Sequence, residues 1–254
     1  SAASDVYKRQ ILYSVALAAC CMGTMTSCSD FLDASNKSNV TAKQSFATKE
    51  GLNNLVNNAY QHLQNVYAAP LFTSCFSAGT DMYADARNKM NEALNTYETL
   101  TPENTDIKNL YTYLYAGIRA ANSVSYYAQT AQVDDKTKGQ LVGEARVLAA
   151  YEYYLLVNNF GGVPIMKDFL TTADTGYPKS SAADVYAYII SELEDVISKN
   201  VLQASTATKG GGRISQETAK AILAKTYLSA AWDLNKQEYF SKACLLYTSP
   251  SPRD

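Results

Sequence analysis

The stretch that most constrains the fold is residues 145–157, ARVLAAYEYYLLV, where apolar and aromatic side chains recur on nearly every side of a helix. Such a helix is stable in water only when other elements surround it. Gly161 and Gly162 follow it and can supply a left-handed cap, and Pro164 prevents the helix from continuing. We therefore predict a helix over residues 134–160 that lies buried among several others.

Elsewhere, apolar residues recur at intervals of three and four, the period of an amphipathic helix, and strand-like alternation is scarce. The stretch from Pro70 to Asp106 is mixed in character and is expected to form loops around a short helix over 89–96. The other predicted helices begin near Thr48, span Leu110–Val124, 182–200 and 215–234, and begin again near Glu238. The predicted fold class is therefore all-α.

The order of these helices predicts antiparallel pairs. Helix 134–160 is expected to pair with 182–200, and helix 215–234 with the one that follows it. Small and aromatic residues occur where helix-turn-helix solenoids interlock, but the loop over 161–181 breaks the 34-residue period of tetratricopeptide repeats. We expect a tetratricopeptide-like helical bundle rather than a regular array.

The two ends of the chain differ from everything between them. Residues 5–10 (DVYKRQ) can be encoded by GAT GTG TAT AAG AGA CAG, and the reverse complement of that DNA, shifted by one base, encodes the CLLYTS of residues 244–249. Inverted copies of one DNA element are typical of translated sequencing-library adapter. Residues 1–10 and 244–254 are therefore left out of the fold prediction as adapter sequence.

An apolar segment, ILYSVALAACC, occupies residues 11–21. It is shorter than the about 20 residues that a helix needs to span a bilayer, and it matches the central region of a secretory signal. The small residues Thr26 and Ser27 then precede Cys28, the pattern of a lipoprotein signal. Residues 11–27 are thus a predicted signal peptide, and Cys28 is the predicted lipidated residue.

Cys20, which follows Leu-Ala-Ala, is an alternative lipidation residue. It would leave a signal shorter than the usual 15–30 residues, which favours Cys28. Two acyl chains are enough to hold a protein stably on a membrane. The polar residues 28–47 are then expected to form a lipidated tether, followed by a helical domain over 48–243.

Composition excludes several kinds of chemistry. The net charge of −2, with its charges scattered, gives no basic surface for nucleic acid. His62 is the single histidine, so histidine-based metal sites and Ser-His-Asp catalysis are nearly excluded. The glycine-rich residues 210–213 lack the Lys-Ser/Thr of a phosphate loop. No cofactor or metal ion is expected.

Acidic residues form two groups that could be read as catalytic. Glu192, Glu194 and Asp195 are expected to lie on a solvated helix face rather than to form a glycosidase acid/base pair. Glu144 and Arg146 are expected to take part in structural ion pairing rather than in catalysis. The sequence therefore predicts a protein that is not an enzyme.

Tyrosine is unusually frequent, with 20 residues. A phenol ring offers a flat face to the C–H surface of a sugar and a hydroxyl group to its polar edge. Most of the tyrosines lie on helices and are expected to pack in the core. The candidate ligand-binding residues lie in an irregular segment: Asp81, Tyr83, Arg87 and Tyr97.

Several motifs resemble those of the RagB/SusD family of surface lipoproteins from Bacteroidetes, in the same order along the chain. CSDFLD (28–33) resembles the family's start after signal cleavage, and LYTYLYAGIRAAN (110–122) resembles a helix with a Y-x-x-I-x-x-A-N pattern. The most specific match is GEARVLAAYEYYLLVNNFGGVP (143–164). Residues 212–228 resemble the next helix of the family. Ala149 departs from the pattern, because the family usually has arginine there.

This resemblance implies an α-helical repeat protein that binds glycans or other nutrients at the exterior of the outer membrane. It also implies delivery to a SusC-like TonB-dependent transporter without bond cleavage. Family members are roughly twice as long, so the bundle is expected to be incomplete at its C-terminus. A helical-repeat scaffold lipoprotein, which contacts proteins and takes no small ligand, is the alternative.

Overall fold

A computed structural model describes residues 42–68, 71–83, 92–170, 176–205 and 212–247. In these ranges the chain forms nine helices and no strand, which confirms the predicted all-α class. The helices are α1 (Ala42–Ser45), α2 (Lys49–Tyr67), α3 (Leu71–Phe76), α4 (Glu92–Thr96), α5 (Thr105–Ala128), α6 (Asp135–Phe160), α7 (Ala182–Lys199), α8 (Gln216–Asp233) and α9 (Gln237–Tyr247).

Side-chain caps explain where the long helices begin. Thr48 accepts a hydrogen bond from the amide of Gly51 at 3.1 Å, and Ser215 accepts one from Thr218 at 3.1 Å. Ser181 and Asp184 form a reciprocal capping box at the start of α7. These polar residues satisfy amides that the first turn of a helix leaves without partners, so the starts could be predicted to within a few residues.

The end of α6 differs slightly from the prediction. Gly161 has φ +68° and ψ −130°, so its φ is positive as expected but its conformation is not left-handed helical. Gly162 is needed for space, because a Cβ atom there would lie 2.3 Å from the carbonyl oxygen of Ser180. The two glycines turn the chain sharply against the segment that enters α7.

The helices form three hairpins: α2 with α5, α6 with α7, and α8 with α9. Two contacts between the first helices of neighbouring hairpins join residues 84 positions apart: Tyr60 with Glu144, and Tyr67 with Tyr151. Equal offsets seven residues apart mean that α2 and α6 run in the same direction. This is the stacking of helical hairpins that the sequence predicts.

Helix α6 is the centre of this stack. Within residues 145–157, every side chain is buried except Arg146, Tyr151 and Tyr154, which are partly exposed. Helices α2, α5, α7 and α8 all pack against it. The all-round apolar composition of the segment is thus explained by its position, and the prediction of a surrounded helix is confirmed.

The described end of the predicted tether packs on the domain. The ring of Phe46 lies 4.8 Å from that of Tyr127, and the amide of Gln132 donates to the carbonyl of Ala47 at 2.8 Å. At the other end, α9 continues through residues 244–247, and Leu246 packs against the core. None of the described helices combines the length and apolar character needed to cross a bilayer.

Candidate functional site

Two of the predicted ligand-binding residues lie on a turn after α3. Asp81 and Tyr83 are exposed there, and the amide of Tyr83 donates to the carbonyl of Thr80 at 3.4 Å. Met82 between them is 96% exposed. The turn therefore presents a carboxylate, a phenol and a thioether to solvent.

A third predicted residue, Tyr97, lies against the same turn. Its hydroxyl donates to the carbonyl of Gly79 at 3.4 Å, and a Cβ atom on Gly79 would lie 2.2 Å from that hydroxyl oxygen. Tyr97 is itself 57% exposed and has φ +63°, an uncommon conformation for a non-glycine residue. The fold thus brings Tyr97 onto the turn that carries Asp81 and Tyr83. Arg87, like the candidate lipidation residues Cys28 and Cys20, lies outside the described residues.

A buried ionic contact links all three hairpins. The carboxylate of Glu144, whose side chain is 1% exposed, pairs with Arg213 at 2.8 Å. It also accepts hydrogen bonds from Tyr60 at 3.2 Å and from Gln140 at 3.2 Å. The hydroxyl of Tyr60 accepts from the amide of Ile214 at 2.7 Å. Burial, with the nearby Glu144 carboxylate adding to it, raises the pKa of Tyr60 well above its usual value.

Glu144 and Arg146 each form structural ion pairs, but they do not pair with one another. The guanidinium of Arg146 lies 2.7 Å from Glu192 and 2.6 Å from Asp195, which joins α6 to α7. Hydrogen bonds from Lys199 and Arg146 lower the pKa of Asp195. Tyr227 donates to Glu194. The acidic face is solvated in part, as predicted, because Glu194 is exposed and Glu192 and Asp195 are partly exposed, but these carboxylates also hold neighbouring helices.

Comparison with known proteins identifies the family. A family model described as "Starch-binding associating with outer membrane" matches residues 30–228, which is more than half of the chain. The chain belongs to the SusD-like family. The predicted family membership is thereby confirmed.

Relatives and solved structures agree with this SusD-like assignment. The chain is 27% identical over 190 residues to SusD-like protein P38 of Formosa agariphila, and 27% identical over 139 residues to a SusD-like protein of Bacteroides ovatus. These matches cover 73% and 53% of this chain, but 36% and 24% of the relatives. The chain thus spans about a third or less of the curated relatives that it matches.

Matches to solved structures cover a larger share of this chain and of the other chain. Surface glycan-binding protein A from Bacteroides uniformis has a TM-score of 0.66 at 26% identity, over 80% of this chain and 46% of that one. A SusD homolog from Bacteroides thetaiotaomicron has a TM-score of 0.68 at 20% identity, over 83% of this chain and 42% of that one. The second likeness supports the fold alone.

Two of the SusD-like motifs form hydrogen bonds with one segment, residues 163–170, which we call the strap. From the Y-x-x-I-x-x-A-N motif, Tyr115 donates to the carbonyl of Pro164 at 2.7 Å and Asn122 to that of Met166 at 2.8 Å. From α6, the hydroxyl of Tyr153 accepts from the amide of Met166 at 2.7 Å. The two motifs therefore hold the strap across α5 and α6, which sequence reasoning did not anticipate.

Glu152 is a second feature that sequence reasoning missed. It is 0% exposed, and within the described residues neither carboxylate oxygen has a hydrogen-bond partner. The carboxyl group packs on Gly117 of α5, where a Cβ atom would lie 1.7 Å from Oε1. Burial raises the pKa of Glu152 well above its usual value, which favours its neutral form. A lone acidic residue within the apolar run of α6 was the available signal.

In the described part of the chain, the remaining reactive side chains form no metal-binding cluster. Cys75 is half-buried on α3, and burial raises its pKa to about 11, which keeps it protonated and unreactive at neutral pH. Burial lowers the pKa of His62. Among the residues that the structure describes, no three His, Cys, Asp or Glu side chains are grouped so that they could hold a metal ion.

Proposed function

We propose that this SusD-like protein binds glycans at the cell surface and passes them, uncleaved, to a SusC-like TonB-dependent transporter. The observation that carries the proposal is the match of residues 30–228 to a family described as starch-binding and associated with the outer membrane. The similarity to a surface glycan-binding protein of Bacteroides uniformis, at 26% identity, supports it.

We place the glycan site at the turn after α3, with Asp81, Tyr83, Arg87 and Tyr97 as its contacts. Tyr83 and Tyr97 are 39% and 57% exposed, which leaves ring surface available for stacking on a sugar. The carboxylate of Asp81 can accept hydrogen bonds from sugar hydroxyl groups, and the guanidinium of Arg87 can donate to them. Aromatic rings next to such groups suit a polyol better than an apolar ligand.

A glycan array followed by calorimetry with the best oligosaccharide tests this site. Maltoheptaose and laminarihexaose serve as defined starting probes. Tyr83→Ala and Tyr97→Ala are each expected to weaken binding about tenfold, a loss that corresponds to about 1.4 kcal/mol. Tyr113→Ala is the matched control, because Tyr113 is a 36% exposed tyrosine on α5 and not on the turn. Binding by Tyr83→Ala and Tyr97→Ala at wild-type affinity would refute the site.

The proposed anchor is a lipid on Cys28, which places the protein on the outer membrane facing the exterior. Metabolic labelling with palmitate tests it in cells that carry the complete gene. Label is expected in the wild type and not in Cys28→Ala. Retained label in Cys28→Ala that disappears in Cys20→Ala would assign the anchor to the alternative cysteine.

The proposed transporter partner separates this function from the scaffold alternative. A TonB-dependent transporter encoded beside the complete gene, and its co-purification with the protein, are expected. A scaffold would instead co-purify with other proteins and would bind none of the oligosaccharides on the array.

A further inference from the structure

The polar face of α2 has an unusual composition. From Gly51 to Tyr67 the helix carries no charged residue, although solvent-facing helix surfaces usually carry several. Its polar side chains are instead mostly amides: Asn53, Asn54, Asn57, Asn58, Gln61, Gln64 and Asn65. Asparagine is a poor helix former, so this choice costs helix stability. An uncharged face at such a cost indicates a use for the amides beyond solvation.

Three of these amides line one open cleft. Asn57, Gln61 and Gln64 are spaced at i, i+4 and i+7 and so lie on one side of the helix. With Tyr60, Gly212 and Arg213 they line this open cleft, which has a volume of about 400 Å³. Gln61 and Gln64 are exposed, and their side chains hydrogen-bond to no other described residue.

The guanidinium of Arg213 is fixed at the wall of this cleft. Its Nε pairs with Glu144 at 2.8 Å, and its two terminal nitrogens donate at 2.8 Å each to Asn57 and Asn53. Arginine has five N–H donors, so these three contacts leave two. The group also lies 5.5 Å above the ring of Tyr60. It therefore offers two donors in a preset orientation.

The charge of the cleft is balanced. The positive charge of Arg213 is paired with the buried carboxylate of Glu144, and the other lining residues that the structure describes are uncharged side chains. Amide groups can donate and accept at the same time, as hydroxyl groups do. A neutral ligand rich in hydroxyl groups matches this lining, whereas an anionic ligand would find no uncompensated positive charge on its described residues.

We infer that the cleft between α2 and the Gly212–Arg213 segment is a second binding site for the hydroxyl groups of a neutral saccharide. It rests on the proposed glycan-binding function and adds a site on a different part of the first hairpin from the turn after α3. Gln61 and Gln64 provide the adjustable contacts, and Arg213 and Asn57 provide the fixed ones.

Side-chain amide signals in nitrogen–proton NMR spectra test this site directly. The full chain is titrated with maltoheptaose and, separately, with laminarihexaose. The amide signals of Gln61 and Gln64 are expected to move, and Gln61→Ala/Gln64→Ala to weaken that binding about tenfold. Asn58→Ala is the matched control, since this exposed amide lies about 100° around α2 from Asn57 and about 120° from Gln64.

The outcomes separate the two proposals. Movement of the Gln61 and Gln64 amide signals on titration of Tyr83→Ala, together with weakened oligosaccharide binding by Gln61→Ala/Gln64→Ala, supports an independent second site. Oligosaccharide binding that leaves the cleft signals unmoved and the double variant unaffected overturns the second site and preserves glycan binding at the turn. Absence of binding to the wild-type chain overturns both.

Discussion

Replacing Glu152 by glutamine is expected to change how the stability of the domain depends on pH. The native state holds this carboxyl buried and neutral against Gly117, with its pKa raised by burial. In the unfolded chain a glutamate loses its proton near pH 4.3. Because the folded pKa is the higher one, the stabilisation is fully present below about pH 4 and is lost as the pH rises towards the folded pKa.

The size of the effect follows from proton linkage. Between the two pKa values the wild type loses about 1.4 kcal/mol per pH unit relative to a residue that cannot ionise. Glutamine has nearly the same shape and is neutral at every pH. Glu152→Gln is therefore expected to gain on the wild type by up to about 1.4 kcal/mol in free energy of unfolding, or roughly 3–6 °C in Tm, for each pH unit between about pH 4.3 and the folded pKa. Any cost of burying the amide group is independent of pH and shifts the whole curve.

Urea unfolding followed by circular dichroism at intervals from about pH 4 to 7 measures this difference. Glu98→Gln, at an exposed glutamate, controls for the loss of one carboxylate from the surface charge. If the difference in free energy of unfolding between the wild type and Glu152→Gln stayed constant across this range, Glu152 would be ionised in the native state. The argument from its burial and missing partners would then be wrong.

Three further changes test the packing of the helices. Gly117→Ala places a Cβ atom 1.7 Å from Glu152 Oε1 and is expected to destabilise by about 1–3 kcal/mol in urea unfolding, much less in combination with Glu152→Ala. Arg213→Gln leaves Glu144 buried without its cation and is expected to cost about 3 kcal/mol, with Glu144→Gln/Arg213→Gln costing less in the same assay. Tyr115→Phe removes one bond to the strap and should cost about 1 kcal/mol, with faster hydrogen exchange of the strap amides than in the wild type. Additive double variants, or unchanged strap exchange, would contradict these assignments.

The long helices were predictable because local chemistry marks their ends. Asp134, Ser181 and Ser215 each cap the helix that follows, and the apolar periodicity fills the span between caps and turns. Helix α3 was missed because it is short and lies in a stretch without a strong period. The sequence pattern alone predicts that α6 is buried, because a helix that is apolar on all sides is stable only when other elements surround it.

The contacts between helices were much less predictable. Arg146 was expected near an ion pair, but its partners Glu192 and Asp195 lie 46 and 49 residues away. Such partners depend on how helices are rotated and stacked, which no local pattern encodes. The candidate turn was found because tyrosines in irregular segments are few, whereas the role of Arg213 requires knowing that α2 lies beside it.

The contact of Arg213 with α2 has a consequence for biogenesis. Its partners Asn57 and Asn53 precede it by 156 and 160 residues, so the buried Glu144 has no cation until most of the chain has been made. Arg213 follows Glu144 by 69 residues, so at about 5–20 residues per second of synthesis that delay is roughly 3–14 seconds. During this interval the first two hairpins carry an uncompensated charge at their junction, which disfavours premature docking. The contact thus makes the junction of the first two hairpins dependent on a residue that precedes the third.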